Sequence, residues 1–363
     1  MSYTRFKLAL VILGLAPTLT GCHTPAATSS SATPCMAQID RFTAPDVPAF
    51  GPAEIASPLG RWTNAVTPDG LPGNGLAQHP MLYVGENYTR MFLVNDGKVL
   101  WTYQTGKGYE YDDVWMLSNG NILFTRMQYV AEITPDKKVV WRYDCDNSTG
   151  TNHTEVHTCQ PIGLDKVMFV LNGIPPRLMV VNTKTGAVEV NHELPYGQAL
   201  TPKSIHGEFR RARYTAQGTY LVSYLSESNV VEFDKDFNQV WSYPIRSPWA
   251  ALRLRNGNTL ITDEHDVSTM EVTPDKKIVW QVTPADLPPA YNYGNSQSAT
   301  RLANGNTILC SRGGDAEGPQ LVEVTPDKKV VWVLEDWMDL GPATAVQILD
   351  DPGIPERPGD SQH

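Results

Sequence analysis

Thr134-Pro-Asp-Lys-Lys-Val-Val-Trp141 recurs almost letter for letter as Thr273-Pro-Asp-Lys-Lys-Ile-Val-Trp280 and Thr325-Pro-Asp-Lys-Lys-Val-Val-Trp332. Looser copies are Asn95-Asp-Gly-Lys-Val-Leu-Trp101 and Asp234-Lys-Asp-Phe-Asn-Gln-Val-Trp241. A sixth, Asn182-Thr-Lys-Thr-Gly-Ala-Val-Glu-Val190, has an aliphatic residue where the others have tryptophan. Each follows a short apolar run, such as Val130-Ala-Glu-Ile133 or Leu321-Val-Glu-Val324, and ends in another. Pro, Asp, Asn and Gly supply the dihedral angles and local hydrogen bonds of a chain reversal, so each copy predicts a β-hairpin.

A second signal precedes these hairpins. Leu117-Ser-Asn-Gly-Asn-Ile-Leu123, Leu254-Arg-Asn-Gly-Asn-Thr-Leu260 and Leu302-Ala-Asn-Gly-Asn-Thr-Ile308 share one form. Asn-Gly between apolar runs predicts a type I′ turn, with both central residues at positive φ. The repeating unit is thus strand, Asn-Gly turn, strand, loop, strand, Pro-Asp turn, strand. Dividing residues 79 to 350 among six such units leaves roughly 45 residues each, the length of one propeller blade. Thr344-Ala-Val-Gln-Ile-Leu349 resembles the first strand of a blade, yet no blade follows it. The expected fold is therefore all-β: a six-bladed β-propeller of four-stranded antiparallel blades, closed when the C-terminal strand becomes the inner strand of the first blade. An open ring would leave an unpaired strand edge and an uncovered apolar face. A helical fold is excluded, because no long segment holds a 3.6-residue apolar period. The tryptophans of the hairpins are expected to pack between blades, and the lysine pairs to be solvated turn tips.

Composition agrees. The 363 residues are 41% hydrophobic and 19% charged, which excludes disorder along the whole chain. With 29 Lys+Arg against 39 Asp+Glu the formal charge is −10, so no nucleic-acid partner is expected. Gly and Pro number 28 each, as suits a chain rich in turns.

The first residues read as an address. Arg5 and Lys7 precede an apolar run over residues 8 to 16, then Leu19-Thr20-Gly21-Cys22. That is the layout of a secretory signal, too short for a membrane helix. Leu19-Thr20-Gly21-Cys22 resembles the bacterial lipobox, which implies lipidation of Cys22 and a membrane tether. His23 after the cysteine implies the outer membrane in a Gram-negative cell. The expected layout is signal peptide 1–21, tether 22–35, irregular arm 36–78 with Trp62 as anchor, propeller 79–351 and disordered tail 352–363. An oxidising compartment allows disulfides, and Cys145 with Cys159 flank a polar loop they are expected to staple.

Blades of Leu-x-Asn-Gly-Asn-x-Leu followed by Val-x-Glu-x-Thr-Pro-Asp-Lys-Lys-Val-Val-Trp resemble the repeats of bacterial arylsulfotransferase-like proteins. They are also similar to the wider quinoprotein-like, PQQ-type group. The first resemblance implies a central histidine acting as transient sulfuryl acceptor. No His-His doublet stands at the inner strands, however, and no adjacent cysteine pair is present, so PQQ is not expected and no cofactor is predicted.

In a propeller the first strands converge on the axis, so residues opening them ring one mouth. Aligning blades on their Asn-Gly turns brings Asp112, Asp113, His157, Arg210, Arg211, Trp249, Gln297 and Ser298 there. Loops after second strands add Arg126, Asn172, Asp263, Glu264, His265 and Arg312, and segments before first strands add Glu155, His206 and Glu208. One reading is a pocket for a small anionic or sugar-like ligand, or a protein partner, with Arg210, Arg211 and Arg312 gripping sulfate, phosphate or carboxylate. In another, these charges pair among themselves, Arg210 with Asp113 and Arg312 with Asp263. An enzymatic alternative makes His157 or His206 the nucleophile or base of a sulfate-ester transferase or hydrolase. Asp263-Glu264-His265-Asp266 is not expected to bind metal, because alternate strand residues face opposite sides.

Overall fold

The structure is a computed structural model describing residues 36–39, 41–42, 79–86, 89–95, 98–105, 110–291, 293–313, 318–361 and 363. The expected signal segment, Cys22, the tether, Cys35 and Trp62 lie outside the described residues. Among the described residues, six four-stranded sheets form the predicted propeller blades. Blade 1 contributes Met81–Val84, Arg90–Asn95 and Lys98–Gln104, and its inner strand is Ala345–Ile348 from the far end of the chain. The other inner strands are Val114–Met116, Glu155–Ile162, Phe209–Tyr214, Pro248–Arg253 and Ser296–Arg301, opening blades 2 to 6. The closing strand pairs antiparallel with its partner in the register Met81↔Ile348 to Val84↔Ala345.

Blades have no private core. Successive side chains of a strand point to opposite faces, and both faces are covered by neighbouring blades. Leu82 and Val84 enter the cluster shared with blade 2, while Met81 and Tyr83 enter the one shared with blade 6.

The repeated residues turn out to be latches between blades. The indole N–H of Trp101 donates to the Pro135 carbonyl of the next blade (2.9 Å), Trp241 to Pro274 (3.0 Å) and Trp280 to Pro326 (2.9 Å). The Pro-Asp turn of one blade is thus the acceptor for the tryptophan of the blade before it. The glutamate of the third strand forms a second latch. Glu271 accepts from Asn256 and Asn258 of its own Asn-Gly turn (2.9 and 2.6 Å) and from Arg301 of the following blade (2.8 Å). Glu232 likewise joins Thr219 and Arg253, and Glu323 joins Asn306 and His79. Arg253 and Arg301 also lie over the faces of Trp241 and Trp280, at 5.2 and 5.3 Å.

The Asn-Gly turns are not of type I′. Gly120, Gly257 and Gly305 alone take positive φ, at 87°, 87° and 90°. The Leu117 carbonyl accepts from Gly120 N–H, and Leu117 N–H donates to the Asn121 carbonyl, both at 2.8 Å. This is a type I turn followed by a left-handed glycine, the three-residue hairpin with a bulge. The first asparagine is used differently: its side chain accepts the N–H two residues on, as in Asn119 to Asn121 (2.9 Å).

Two further expectations are corrected. Cys145 and Cys159 are free and buried. Cys145 follows the outer strand of blade 2, whereas Cys159 lies midway along the inner strand of blade 3, where its N–H donates to Asp113 (3.1 Å). Residues 352 to 361 are a folded segment, not a disordered tail. Consecutive turns bond Arg357 N–H to the Ile354 carbonyl and Asp360 N–H to the Arg357 carbonyl. The Glu356 carbonyl accepts from Gly163 N–H (3.0 Å), and the Asp360 carbonyl accepts from Arg255 (2.8 Å), tying the segment to the turn end of the inner strands. The described start of the arm, Met36–Ile39 and the two residues 41 and 42, reaches that same end: Gln38 and Arg41 donate to the carbonyls of Ser118 and Asn119.

The latches can be tested singly. Glu271→Ala leaves Arg301 and two asparagines without their acceptor and should destabilise the ring by about 2 kcal/mol in urea titration. Adding Arg301→Met should recover part of that loss. His79, at the seam, sits between Glu323 Oε2 (3.0 Å) and Asp350 Oδ2 (3.1 Å). Burial alone would lower this imidazole, but hydrogen bonds and charges of Asp350 and Glu323 outweigh it and raise its pKa from 6.5 to about 9. Stability from this contact is therefore fully present below about pH 6.5 and is lost as pH rises through 9. Across that window, His79→Gln should melt at a temperature that falls less with pH than the parent's.

Candidate functional site

The axial channel holds two polar clusters, one above the other. The deeper one is centred on Asp113, which is fully buried. Arg211 donates to its Oδ1, and Arg213 reaches both oxygens at 2.8 and 3.0 Å. Cys159 N–H and the Thr158 hydroxyl complete the shell at 3.1 and 3.2 Å. Burial would raise this carboxyl, but the two guanidiniums override it and hold the group below the usual carboxylate range. From the turn end, the His363 carbonyl accepts from Arg213 Nε (2.9 Å) and its ring lies against Trp115, centroids 4.0 Å apart. Arg211 is therefore buried against Asp113 and is not presented to an anion at the mouth. Asp113→Asn would leave two buried guanidiniums without a full counter-charge, and should cost about 3 kcal/mol or more in denaturant titration.

The upper cluster faces the predicted mouth. His157, on the inner strand of blade 3, is buried with both ring nitrogens engaged: Nδ1 is 3.0 Å from Asp112 Oδ2, and Nε2 is 3.1 Å from Glu155 Oε2. His206, on the short turn Ile205–Gly207 before blade 4, places Nδ1 2.8 Å from the same Glu155 oxygen and stays half exposed. His153 holds the other Glu155 oxygen at 2.9 Å. Burial and the Arg210 charge would lower the His157 pKa, but Asp112 and Glu155 raise it to about 9. Burial would raise Glu155, yet the hydrogen bonds of His157 and His206 bring it well below the carboxylate range.

Glu110 closes this side, 3.8 Å from His157 Nδ1 and 3.7 Å from His206 Nε2. Burial first, then the charges of Asp112 and Glu86, push its carboxyl up to about 7. Glu208, anchored by Gly173 N–H at 2.7 Å, is also raised to about 7, chiefly by burial. Across the mouth Glu86 accepts from Gln297 (3.0 Å) and Arg312 (2.6 Å), and Arg312 lies 3.8 Å from Glu264.

The predicted residues thus separate. Asp112, Glu155, His157, His206, Gln297 and Arg312 meet at the mouth. Arg210 donates to the carbonyls of His206 and Phe209 and lies 4.8 Å over the buried ring of Trp249. Neither expected pair forms, since Asp113 takes Arg211 and Arg213 in place of Arg210, and Arg312 takes Glu86 in place of Asp263. Arg126 turns to Thr105 (2.7 Å) and Tyr111, while Asp263 caps the N–H groups of His265 and Asp266 (3.0 and 3.1 Å). His265 is exposed beside Asp266 and belongs to the rim.

Glu86, Glu110, His153 and Arg213 were not anticipated. Glu86 holds, in blade 1, the place after the second strand that Arg312 holds in blade 6. Blade 1 lacks an Asn-Gly turn because its inner strand comes from the far end of the chain, so the alignment could not reach Glu86. Arg213 is two residues from Arg211 on one strand, a period-two signal that was available.

No family model and no curated protein matches the chain. Among solved structures it resembles a protein of unknown function from Bacteroides caccae, with TM-score 0.66 and 23% identity over 74% of this chain and 97% of that one. Fainter likenesses are to a streptogramin B lyase (TM-score 0.48, 11% identity, 68% of this chain and 76% of that one) and to virginiamycin B lyase from Staphylococcus aureus (0.49, 12%, 73% and 86%). At such identities the likeness is one of fold.

Proposed function

We propose that the protein is a binding propeller of the cell envelope, whose axial mouth takes a small ligand carrying positive charge. The observation that carries this reading is a crowd of carboxylates short of donors. Glu86, Glu110, Asp112, Glu155, Glu208 and Glu264 stand around one opening, and among the described residues Glu110 Oε2, Asp112 Oδ1 and Glu208 Oε1 are buried without a hydrogen-bond partner. Unsatisfied buried acceptors are costly, and a cationic ligand would relieve the missing hydrogen bonds and offset both the burial and the repulsion by Asp112 and Glu86 that raise Glu110. The deeper Asp113–Arg211–Arg213 cluster and His363 occupy the channel below, so the ligand would enter and leave by this mouth. Anchoring through Cys22 at the outer membrane remains part of the proposal, on the strength of Leu19-Thr20-Gly21-Cys22.

The sulfate-ester reading is not favoured. A sulfuryl acceptor needs a free, accessible imidazole nitrogen, and both of His157's are hydrogen-bonded to carboxylates in a buried position. His206 is accessible, but Glu155 and Glu110 beside it would repel a sulfate.

Melting curves of the intact protein test the charge preference. Polyamines, amino sugars or divalent cations should raise the melting temperature, and sulfate, phosphate and sugar acids should not. Glu110→Gln should weaken the cation response at least tenfold in concentration while raising the ligand-free melting temperature, since it removes a repelled charge. Stabilisation by anions alone would overturn the reading.

A further inference from the structure

Resting on that reading, we infer that the positive centre is a divalent transition metal ion of the zinc class, held by Glu155, His157 and His206. Glu155 Oε2, His157 Nε2 and His206 Nδ1 all lie within 4.8 Å of one another, and the carboxylate oxygen is 3.1 and 2.8 Å from the two nitrogens. Bonds of about 2.0–2.1 Å to a tetrahedral ion set ligand atoms roughly 3.3 Å apart, so the carboxylate oxygen needs to draw back only slightly from each nitrogen, and the two nitrogens, within 4.8 Å of each other, need to close toward that spacing. Two imidazoles and one carboxylate suit zinc and its neighbours; magnesium and calcium prefer shells built from oxygen alone.

The surroundings match what such a site requires. A ligating imidazole gives its other nitrogen to a carboxylate, which fixes the ring and its tautomer. His157 Nδ1 does this with Asp112, whose second oxygen is one of the buried atoms lacking a donor. Asp112 is buried, so this carboxylate has no bulk water to solvate it, and a cation bound next to its histidine would balance it. His153 fixes the remaining Glu155 oxygen, leaving the other directed at the two imidazoles. A second trio, Glu110, Asp112 and His157, has one imidazole only and would use the nitrogen that Asp112 orients, so it is the poorer donor set. With three protein donors and a half-exposed His206, a fourth position would open to the mouth, with the Glu110 carboxyl at its edge.

In metal-free form the same three residues form a hydrogen-bonded unit in which His157 carries a proton between two carboxylates. Metal binding would release the proton at His157 Nε2 and move the hydrogen of His206 from Nδ1 to Nε2, freeing both nitrogens for the ion.

The test uses the intact protein, stripped with a chelator and titrated with Co2+ and then Zn2+. One equivalent of Co2+ should give the visible bands of a tetrahedral nitrogen–oxygen site, and Zn2+ should abolish them. His206→Ala and Glu155→Gln should each weaken Zn2+ binding at least tenfold. Asp112→Asn, acting through His157, should weaken it about 10- to 100-fold while keeping the Co2+ spectrum tetrahedral. Asp275→Asn, on the exposed Pro-Asp turn of blade 5, should leave it unchanged. No bands, or affinity indifferent to His206→Ala, would overturn the metal assignment. If polyamines still stabilise the protein in that case, the cationic mouth stands without a metal; if no cation does, both readings fall.

Discussion

The antiparallel pairing of Ala345–Ile348 with Met81–Val84 is the joint on which the molecule depends. Every apolar cluster lies between two blades, so a blade without both neighbours exposes a sheet face that water would penetrate. Pairing the last strand into the first blade completes that blade and closes the ring, so that each blade has a neighbour on both faces. It also brings His79, Glu323 and Asp350 together at the seam, residues separated by most of the chain. Local latches then act around the ring. The Trp-to-Pro and Glu-to-Arg contacts each join a blade to the next, so their strength is realised only when neighbours are in place.

This closure also decides what the channel can be. Inner strands from all blades point polar side chains at a common axis, and a buried charge is tolerated there only with a partner. Asp113 meets that condition with two arginines and is a structural plug. The mouth meets it incompletely. His157 is satisfied twice over, but burial holds Glu110 and Glu208 protonatable near neutrality, and the nearby imidazoles offset that only in part. A fold that gives its deep carboxylate two guanidiniums and leaves carboxylates above short of donors is consistent with a ligand-binding end and a sealed end.

The architecture was legible because it is periodic. Three near-identical Thr-Pro-Asp-Lys-Lys segments and three Leu-x-Asn-Gly-Asn turns specify blade length, strand number and the orphan last strand without reference to any contact. What the pattern could not convey was pairing across blades. Arg211 and Arg312 were read as anion grips because arginine alone does not reveal whether Asp113 or Glu86 stands opposite. The Cys145–Cys159 bridge failed for a related reason: a short separation along the chain spans an outer strand and the next inner strand. Residues 352–363 were expected to be a disordered tail, yet over 352 to 361 the chain forms tight turns whose carbonyls and carboxylates meet donors on the blades.

The repeat itself separates structure from function. Trp241, Trp280, Glu232, Glu271 and Glu323 occur at equivalent positions, and each latches one blade to another. Blade 3 departs most from the pattern: its hairpin, Asn182-Thr-Lys-Thr-Gly186, has no proline, Val190 stands where tryptophan would be, and its third strand, Arg177–Asn182, has no glutamate. That same blade carries Glu155 and His157, with His153 just before it and His206 reaching in from the next. A side chain required by the ring must recur, since the ring poses the same packing problem at each interface. Glu155 has counterparts in Glu110 and Glu208, at the same place before the inner strands of blades 2 and 4, but His157 stands where blades 2, 4, 5 and 6 carry Asp112, Arg210, Trp249 and Gln297, and the packing of the ring gives no reason for burying an imidazole between two carboxylates. That arrangement is the part of the mouth that the proposed metal ion would account for.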